Sequence, residues 1–347
     1  MNRKKFTKLF AIMLIAILTL GALSGCGNKT ESKKKIKIVA TTFPQYDWIR
    51  EILGDKAKDV DLKLLQKSGG DLHSFQPSAD DIKAVADADI FVYVGGESDK
   101  WVSDVLKKKT NKNLVAINLM DEMKDSKKAE EVKEGMQPEK EEHDHHDHDG
   151  DKDKDHKDGH HHEDAEEVEY DEHVWLSLKN AIKLCKPIEK AIADKDKDNA
   201  DTYKKNLDAY TEKLKKLDKQ YADAVAKAKV KTLVFGDRFP FRYMVDDYGI
   251  DYYAAFVGCS AESEASFETI HFLSGKLNQL KLKHVVTIEN SDHKIAKSII
   301  RDADSTKRDI KTLDSLQSIK KSDLKDKTYL KTMEQNLEVL KELLSNK

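Results

Sequence analysis

Two histidines stand where a chain could offer them to a metal ion. His73 lies in Ser68-Gly69-Gly70-Asp71-Leu72-His73-Ser74-Phe75-Gln76-Pro77-Ser78, a glycine-flexed loop that ends at a helix N-cap candidate, Ser78. His173 lies in Asp171-Glu172-His173-Val174-Trp175-Leu176, where a highly charged stretch gives way to an apolar one. Neutral imidazole suits zinc and other first-row metals. Singly, each histidine is more often structural or merely exposed; two on separate loops of one sheet edge favour ligation. Such ligation is expected to weaken as pH falls through roughly 6 to 5, because each ring must shed its proton. Carboxylates could complete the site at about 2.0–2.2 Å. Asp237 in Phe235-Gly236-Asp237-Arg238 and Asp314 in Thr312-Leu313-Asp314-Ser315 each follow a β-type run, with Glu289 in reserve. An aspartate there also serves as a helix N-cap, a role that suits Asp237 better than Asp314. A second signal is separate: eight histidines between His143 and His162, interleaved with acidic residues, make a weak multi-site sponge for zinc, nickel or copper.

The elements that must position these residues alternate. Strands are expected at Ile36–Thr42, Val60–Gln66, Ile90–Val94 and Leu114–Leu119, with helices at Gln45–Leu53, Ser78–Ala88 and Trp101–Lys108 between them. A second series follows Val230: strands Val230–Phe235, Tyr252–Val257, His284–Ile288 and Ile310–Leu313, with helices at Tyr243–Tyr248, Phe267–Leu280, Ile295–Ile300 and about Lys327–Leu344. Strand–helix alternation implies parallel sheets covered by helices, and so an α/β chain of two lobes, each with a four-stranded mostly parallel sheet. In such sheets ligands bind beyond the carboxyl ends of the strands. Between the lobes Tyr203, Leu207, Tyr210, Leu214, Leu217, Tyr221 and Val225 recur at steps of four and three, which predicts one long, stiff linking helix.

At the amino terminus Arg3, Lys4, Lys5 and Lys8 precede an apolar run, Leu9–Leu23, too short to span a bilayer. The run closes on Leu23-Ser24-Gly25-Cys26, which resembles a bacterial lipobox with Cys26 as the lipidated residue. The formal charge of −3 hides a local −13 between Glu139 and Glu172, from 17 acidic and 4 basic side chains. The stretch from about 121 to 170 has few large apolar residues and reads as a disordered insertion. The expected organisation is a signal peptide at 1–25, a lipidated tether at 26–35, a first lobe at 36–197 carrying that insertion, a linker helix at 198–229 and a second lobe at 230–347. Cys185 and Cys259 are too few for a disulfide framework.

The strings Gly70–Ile82, Ala88–Trp101, Asp171–Leu176, Glu264–Ser266 and Thr312–Leu316 together resemble the zinc/manganese solute-binding lipoproteins of ABC transporters, over about Ile36 to Lys347. The resemblance implies two α/β lobes bridged by a rigid helix, a metal held in the cleft, and His73, His173 and Asp314 among its ligands. It departs at Gly236, where that family usually has His or Glu; Asp237, Glu289, Cys259 or water must serve there, with Asp237 preferred. A histidine-rich insertion is associated in the family with zinc rather than manganese. Implied partners are the permease and ATPase of an importer, with the chain a monomer held by its lipid on the outer face of the cell membrane and no nucleic-acid partner. Manganese binding and a surface-adhesin role are the alternatives. No His-Glu-x-x-His pair and no Gly-x-Ser-x-Gly elbow occurs, so no enzyme is expected.

Overall fold

A parallel strand cannot return by a tight turn, so each apolar run in this chain is followed by a helix that carries it back across the sheet. The computed structural model describes residues 35–137, 168–260, 264–304 and 307–346. The amino-terminal run, Cys26 and the eight clustered histidines lie outside the described residues. The first sheet comprises β1 (Ile36–Ala40), β2 (Val60–Leu64), β3 (Ile90–Tyr93) and β4 (Val115–Asn118) in the order β2-β1-β3-β4. The second comprises β5 (Thr232–Phe239), β6 (Asp251–Val257), β7 (His284–Ile288) and β8 (Asp309–Leu313) in the order β6-β5-β7-β8. Every pairing is parallel. The same topology thus occurs twice, and in each sheet the winding reverses beside the first strand, which opens a crevice at the strands' carboxyl ends.

The first lobe's helices are α1 (Phe43–Leu53), α2 (Ala79–Ala86), α3 (Val102–Lys107), α4 (Leu119–Met123) and α5 (Leu178–Lys195). The second lobe's are α7 (Arg242–Tyr248), α8 (Phe267–Gln279), α9 (Lys294–Asp302) and α10 (Tyr329–Ser345), and α6 (Ala200–Ala226) joins the lobes. Along α6 all seven residues of the periodic stripe are buried. It packs on α1 and α5 of the first lobe and on α10 of the second. Its 27 residues reach roughly 40 Å at about 1.5 Å each. Burying seven large side chains, each worth about 1.5–3 kcal/mol, is what holds so charged a helix in place.

Three features differ from the sequence reading. α5 has no counterpart among the expected helices: Leu184, Cys185, Ile188 and Ile192 bury one face, and the helix continues through Pro187 although proline lacks the backbone donor. The disorder expected from about residue 121 does not hold for residues 121–137. Met123 and Met136 are buried, Gln137 N donates to the Ala255 carbonyl at 3.0 Å, and the Gln137 side chain accepts from Ser266 N at 2.6 Å. This stretch has little core of its own and is ordered by contacts to both lobes, with Lys183 Nζ donating to the Met123 carbonyl at 3.0 Å on the first-lobe side. Finally, β5 extends past Phe235 to Phe239 with an irregularity between Phe235 and Arg238, so Gly236 and Asp237 lie within the strand rather than after it.

Candidate metal centre

His73 is set by its own loop. Asp71 Oδ1 accepts from His73 N at 2.9 Å and starts a single 3-10 turn, Leu72–Ser74, whose Leu72 is buried. On the far side Ser98, in the turn after β3, lies 2.9 Å from His73 Nδ1. Asp171 does the same for His173, its Oδ1 accepting from the backbone N at 2.8 Å and lying 3.0 Å from Nδ1. Tyr243 OH in turn donates to the Asp171 carbonyl at 2.9 Å. With Nδ1 of each ring engaged, Nε2 is left to face inward, and the two Nε2 atoms stand 3.3 Å apart. Zn–N bonds of about 2.0–2.1 Å in a tetrahedron put two nitrogens ~3.3–3.4 Å apart. An imidazole held by a carboxylate on its outer nitrogen is the usual support of a metal-ligating histidine.

The second lobe meets these rings from two sides. Gln317 Oε1, after β8, lies 3.1 Å from His173 Nε2. From the end of β6 comes Cys259, whose sulfur and a nitrogen of each histidine all lie within 4.8 Å of one another. Cys259 N donates to Glu130 Oε1 at 3.1 Å. Asp314 and Asp237 are not in this cluster. Asp314 Oδ2 pairs with Lys327 Nζ at 2.6 Å and its Oδ1 accepts from Leu316 N at 2.8 Å. Asp237 is taken by backbone donors, Arg238 N at 2.9 Å and Ile288 N at 3.4 Å. Glu289 spends both oxygens on Ser315, at 2.6 and 2.8 Å. Asp237 does line a cavity of about 480 Å³ beside the rings, together with Asp71, His73 and Arg238. Across it Arg238 Nη2 reaches Asp71 Oδ2 at 2.5 Å, a bond between lobes.

The electrostatics separate the two imidazoles. Burial, then the charge of His173, pushes His73 down to about 3. Burial would push His173 down as well, but the charge and hydrogen bond of Asp171 overcome it and hold that ring above its ordinary value. The Asp171 carboxylate at Nδ1 therefore holds a proton on His173 to higher pH than on an ordinary imidazole, while His73 stays neutral. A metal ion on Nε2 would have to displace any proton carried there. Burial and the neighbouring Glu130 carboxylate raise the Cys259 thiol well above its usual range. Ser98, Gln317 and Glu130 were absent from the sequence reading. Ser98 and Gln317 each follow the carboxyl end of a strand, the position that could have pointed to them.

A family model described as zinc-uptake complex component A, periplasmic, matches residues 38–343. The chain belongs to this zinc-uptake component family. It is 31% identical over 347 residues to the high-affinity zinc uptake system protein ZnuA of Bacillus subtilis, covering 98% of each chain. It is likewise 31% identical over 331 residues to the zinc-binding lipoprotein AdcA of Streptococcus pneumoniae, covering 95% of this chain but only 60% of that protein. Among solved structures, the Zn(II)-bound ZnuA-like domain of AdcA superposes with a TM-score of 0.65 at 27% identity, over 89% of this chain and 99% of that one. The two-lobed α/β architecture is therefore that of the zinc-uptake component family, which is a solute-binding component of transport.

Proposed function

We propose that this chain is the extracytoplasmic capture component of a zinc importer, taking Zn²⁺ from solution in the interlobe cleft on His73 and His173 and delivering it to a permease driven by an ATPase partner. The observation that carries the reading is the pair of Nε2 atoms 3.3 Å apart, each ring braced at Nδ1. Among the described residues the cluster brings two imidazole nitrogens together and includes no carboxylate, which favours zinc over manganese, the ion that prefers oxygen. The family's zinc-named relatives support the same cargo. The amino-terminal pattern supports anchoring through a lipid on Cys26 at the outer membrane face; fatty-acid labelling that survives in Cys26→Ser would refute it. Monomeric behaviour is part of the same reading.

The test is competition titration of the full chain with zinc against a chromophoric chelator. One tight site per chain should vanish in His73→Ala and in His173→Ala, and persist when residues 138–167 are deleted. Loss of the tight site on deletion, with retention in the two variants, would move the function to the histidine-rich segment.

A further inference from the structure

Gly236 occupies the position where the family resemblance implies a histidine or glutamate ligand, and α9 accounts for its lack of a side chain. A Cβ on Gly236 would come within 2.7 Å of Ala296 Cα and 2.9 Å of Ala296 Cβ. The volume a ligand would need is filled by helix backbone. At the adjacent strand the situation is reversed. β6 ends at Val257, and a Cβ on Gly258 would meet the Phe239 carbonyl oxygen at 2.9 Å and two His173 ring atoms at 3.1 and 3.2 Å. Only a residue without a side chain lets the main chain run this close to the imidazole, and that close passage delivers the next residue, Cys259, to the two histidines.

We propose that Cys259 is the second lobe's ligand, so that the cargo ion is held by two imidazole nitrogens and one thiolate sulfur. This rests on the reading of His73 and His173 as zinc ligands. Zn–S of about 2.3 Å and Zn–N of about 2.0–2.1 Å place sulfur roughly 3.6 Å from each nitrogen in a tetrahedron. The present limit of 4.8 Å among the three atoms leaves a movement of little more than about an ångström, within reach of a cysteine rotamer change or a small approach of the lobes. The thiol proton leaves to solvent as the ion arrives. A thiolate makes the site select zinc and softer ions such as cadmium and turn away manganese. Because the histidines belong to one lobe and Cys259 to the other, closing the coordination shell also closes the cleft.

The sequence makes the test clean. Only Cys26, Cys185 and Cys259 carry sulfur as thiols; Cys185 is buried inside α5, and the histidine-rich segment has none. The full chain carrying Cys26→Ser, reduced and metal-free, is titrated with Co²⁺ and separately with Cd²⁺. The expected result is a thiolate-to-metal charge-transfer band that saturates at one ion per chain and is missing in Cys259→Ser and Cys259→Ala. Zinc affinity in those variants should fall by more than the roughly 10–100-fold that follows loss of a supporting hydrogen bond, with manganese affinity changed much less. One tight, His73-dependent ion without a thiolate band, or a band that survives in both variants, overturns the thiolate ligand and leaves the two-histidine site standing. Absence of any tight ion that depends on His73 and His173 overturns the site itself. Adding Cys185→Ala to the Cys26→Ser chain leaves Cys259 as its one thiol, so the presence or absence of the band in that chain decides whether or not the Cys259 variants fold.

Discussion

The two imidazoles are chemically unequal, and the inequality predicts how each will respond to change. His73→Ala and His173→Ala should each cost far more zinc affinity than Asp171→Asn, which removes a brace and belongs in the roughly 10–100-fold range. Asp314→Asn should leave affinity near wild type, since that carboxylate is engaged by Lys327 and the Leu316 amide. A loss as large as that of His73→Ala would mean that Asp314 abandons Lys327 for the ion. pH follows the same logic. With His73 neutral down to about 3, its protonation does not limit capture. His173 does, because its pKa is raised and the ion must displace its proton. The acid limb of zinc affinity is therefore expected above the ordinary imidazole value of 6.5, at higher pH than the 6-to-5 window read from unperturbed histidines. It should move toward acid in Asp171→Asn. An affinity flat from pH 8 to 5 would remove both His173 and the Cys259 thiolate from the site.

At the scale of elements, glycine positions decide what each strand end can present. Gly236→Ala should destabilise the fold by about 1–3 kcal/mol in chemical denaturation, the cost of forcing a methyl against α9, while leaving zinc affinity nearly unchanged. Gly258→Ala should lower both, because its methyl strikes the His173 ring. Equal effects of the two on zinc binding would contradict this division. These contacts also mark the limit of what a sequence discloses. Strand–helix alternation revealed both sheets, since hydrophobic period and helix caps are local signals, and the stripe from Tyr203 to Val225 is continuous enough to announce α6. α5 runs through Pro187, a local break signal that tertiary burial overrides. Residues 121–137 stayed hidden because their order comes from distant partners, such as Lys183 on Met123 and Ala255 and Ser266 on Gln137. His73 and His173 were legible as candidates from residue type and loop context. Cys259 was one of several options, and nothing local to it shows that α9 fills the space beside Gly236.

Across the whole molecule, the lobes are tied behind the cleft by buried bonds. Trp175 Nε1 donates to the Ser315 carbonyl at 2.8 Å, Tyr329 OH to the Trp175 carbonyl at 2.6 Å, and Tyr329 N to Asp47 Oδ2 at 2.7 Å. Building polar groups into that interior raises several carboxyls through burial: Asp47 to about 6, and Asp99, Glu130 and Glu289 to about 7. A carboxyl whose pKa is higher folded than unfolded binds its proton preferentially in the folded state between the two values, so its contribution to stability grows as pH falls from about 7 toward 4. His173, also raised, adds stability that is fully present below 6.5 and lost as pH rises through its folded value. His73 opposes them: unfolded it takes a proton near 6.5, folded only near 3, so its share is lost as pH falls between those values. Four carboxyls and His173 outweigh one ring. The metal-free chain should therefore melt at higher temperature at pH 5.5 than at pH 8, while the increment in melting temperature produced by zinc shrinks over the same interval, since bound ligand stabilises only in proportion to its affinity. Thermal unfolding of the full chain at both pH values, with and without zinc, reads the two trends together. A metal-free melting temperature that falls steadily from pH 8 to 5.5 would show that the buried carboxyls are not protonated in the fold.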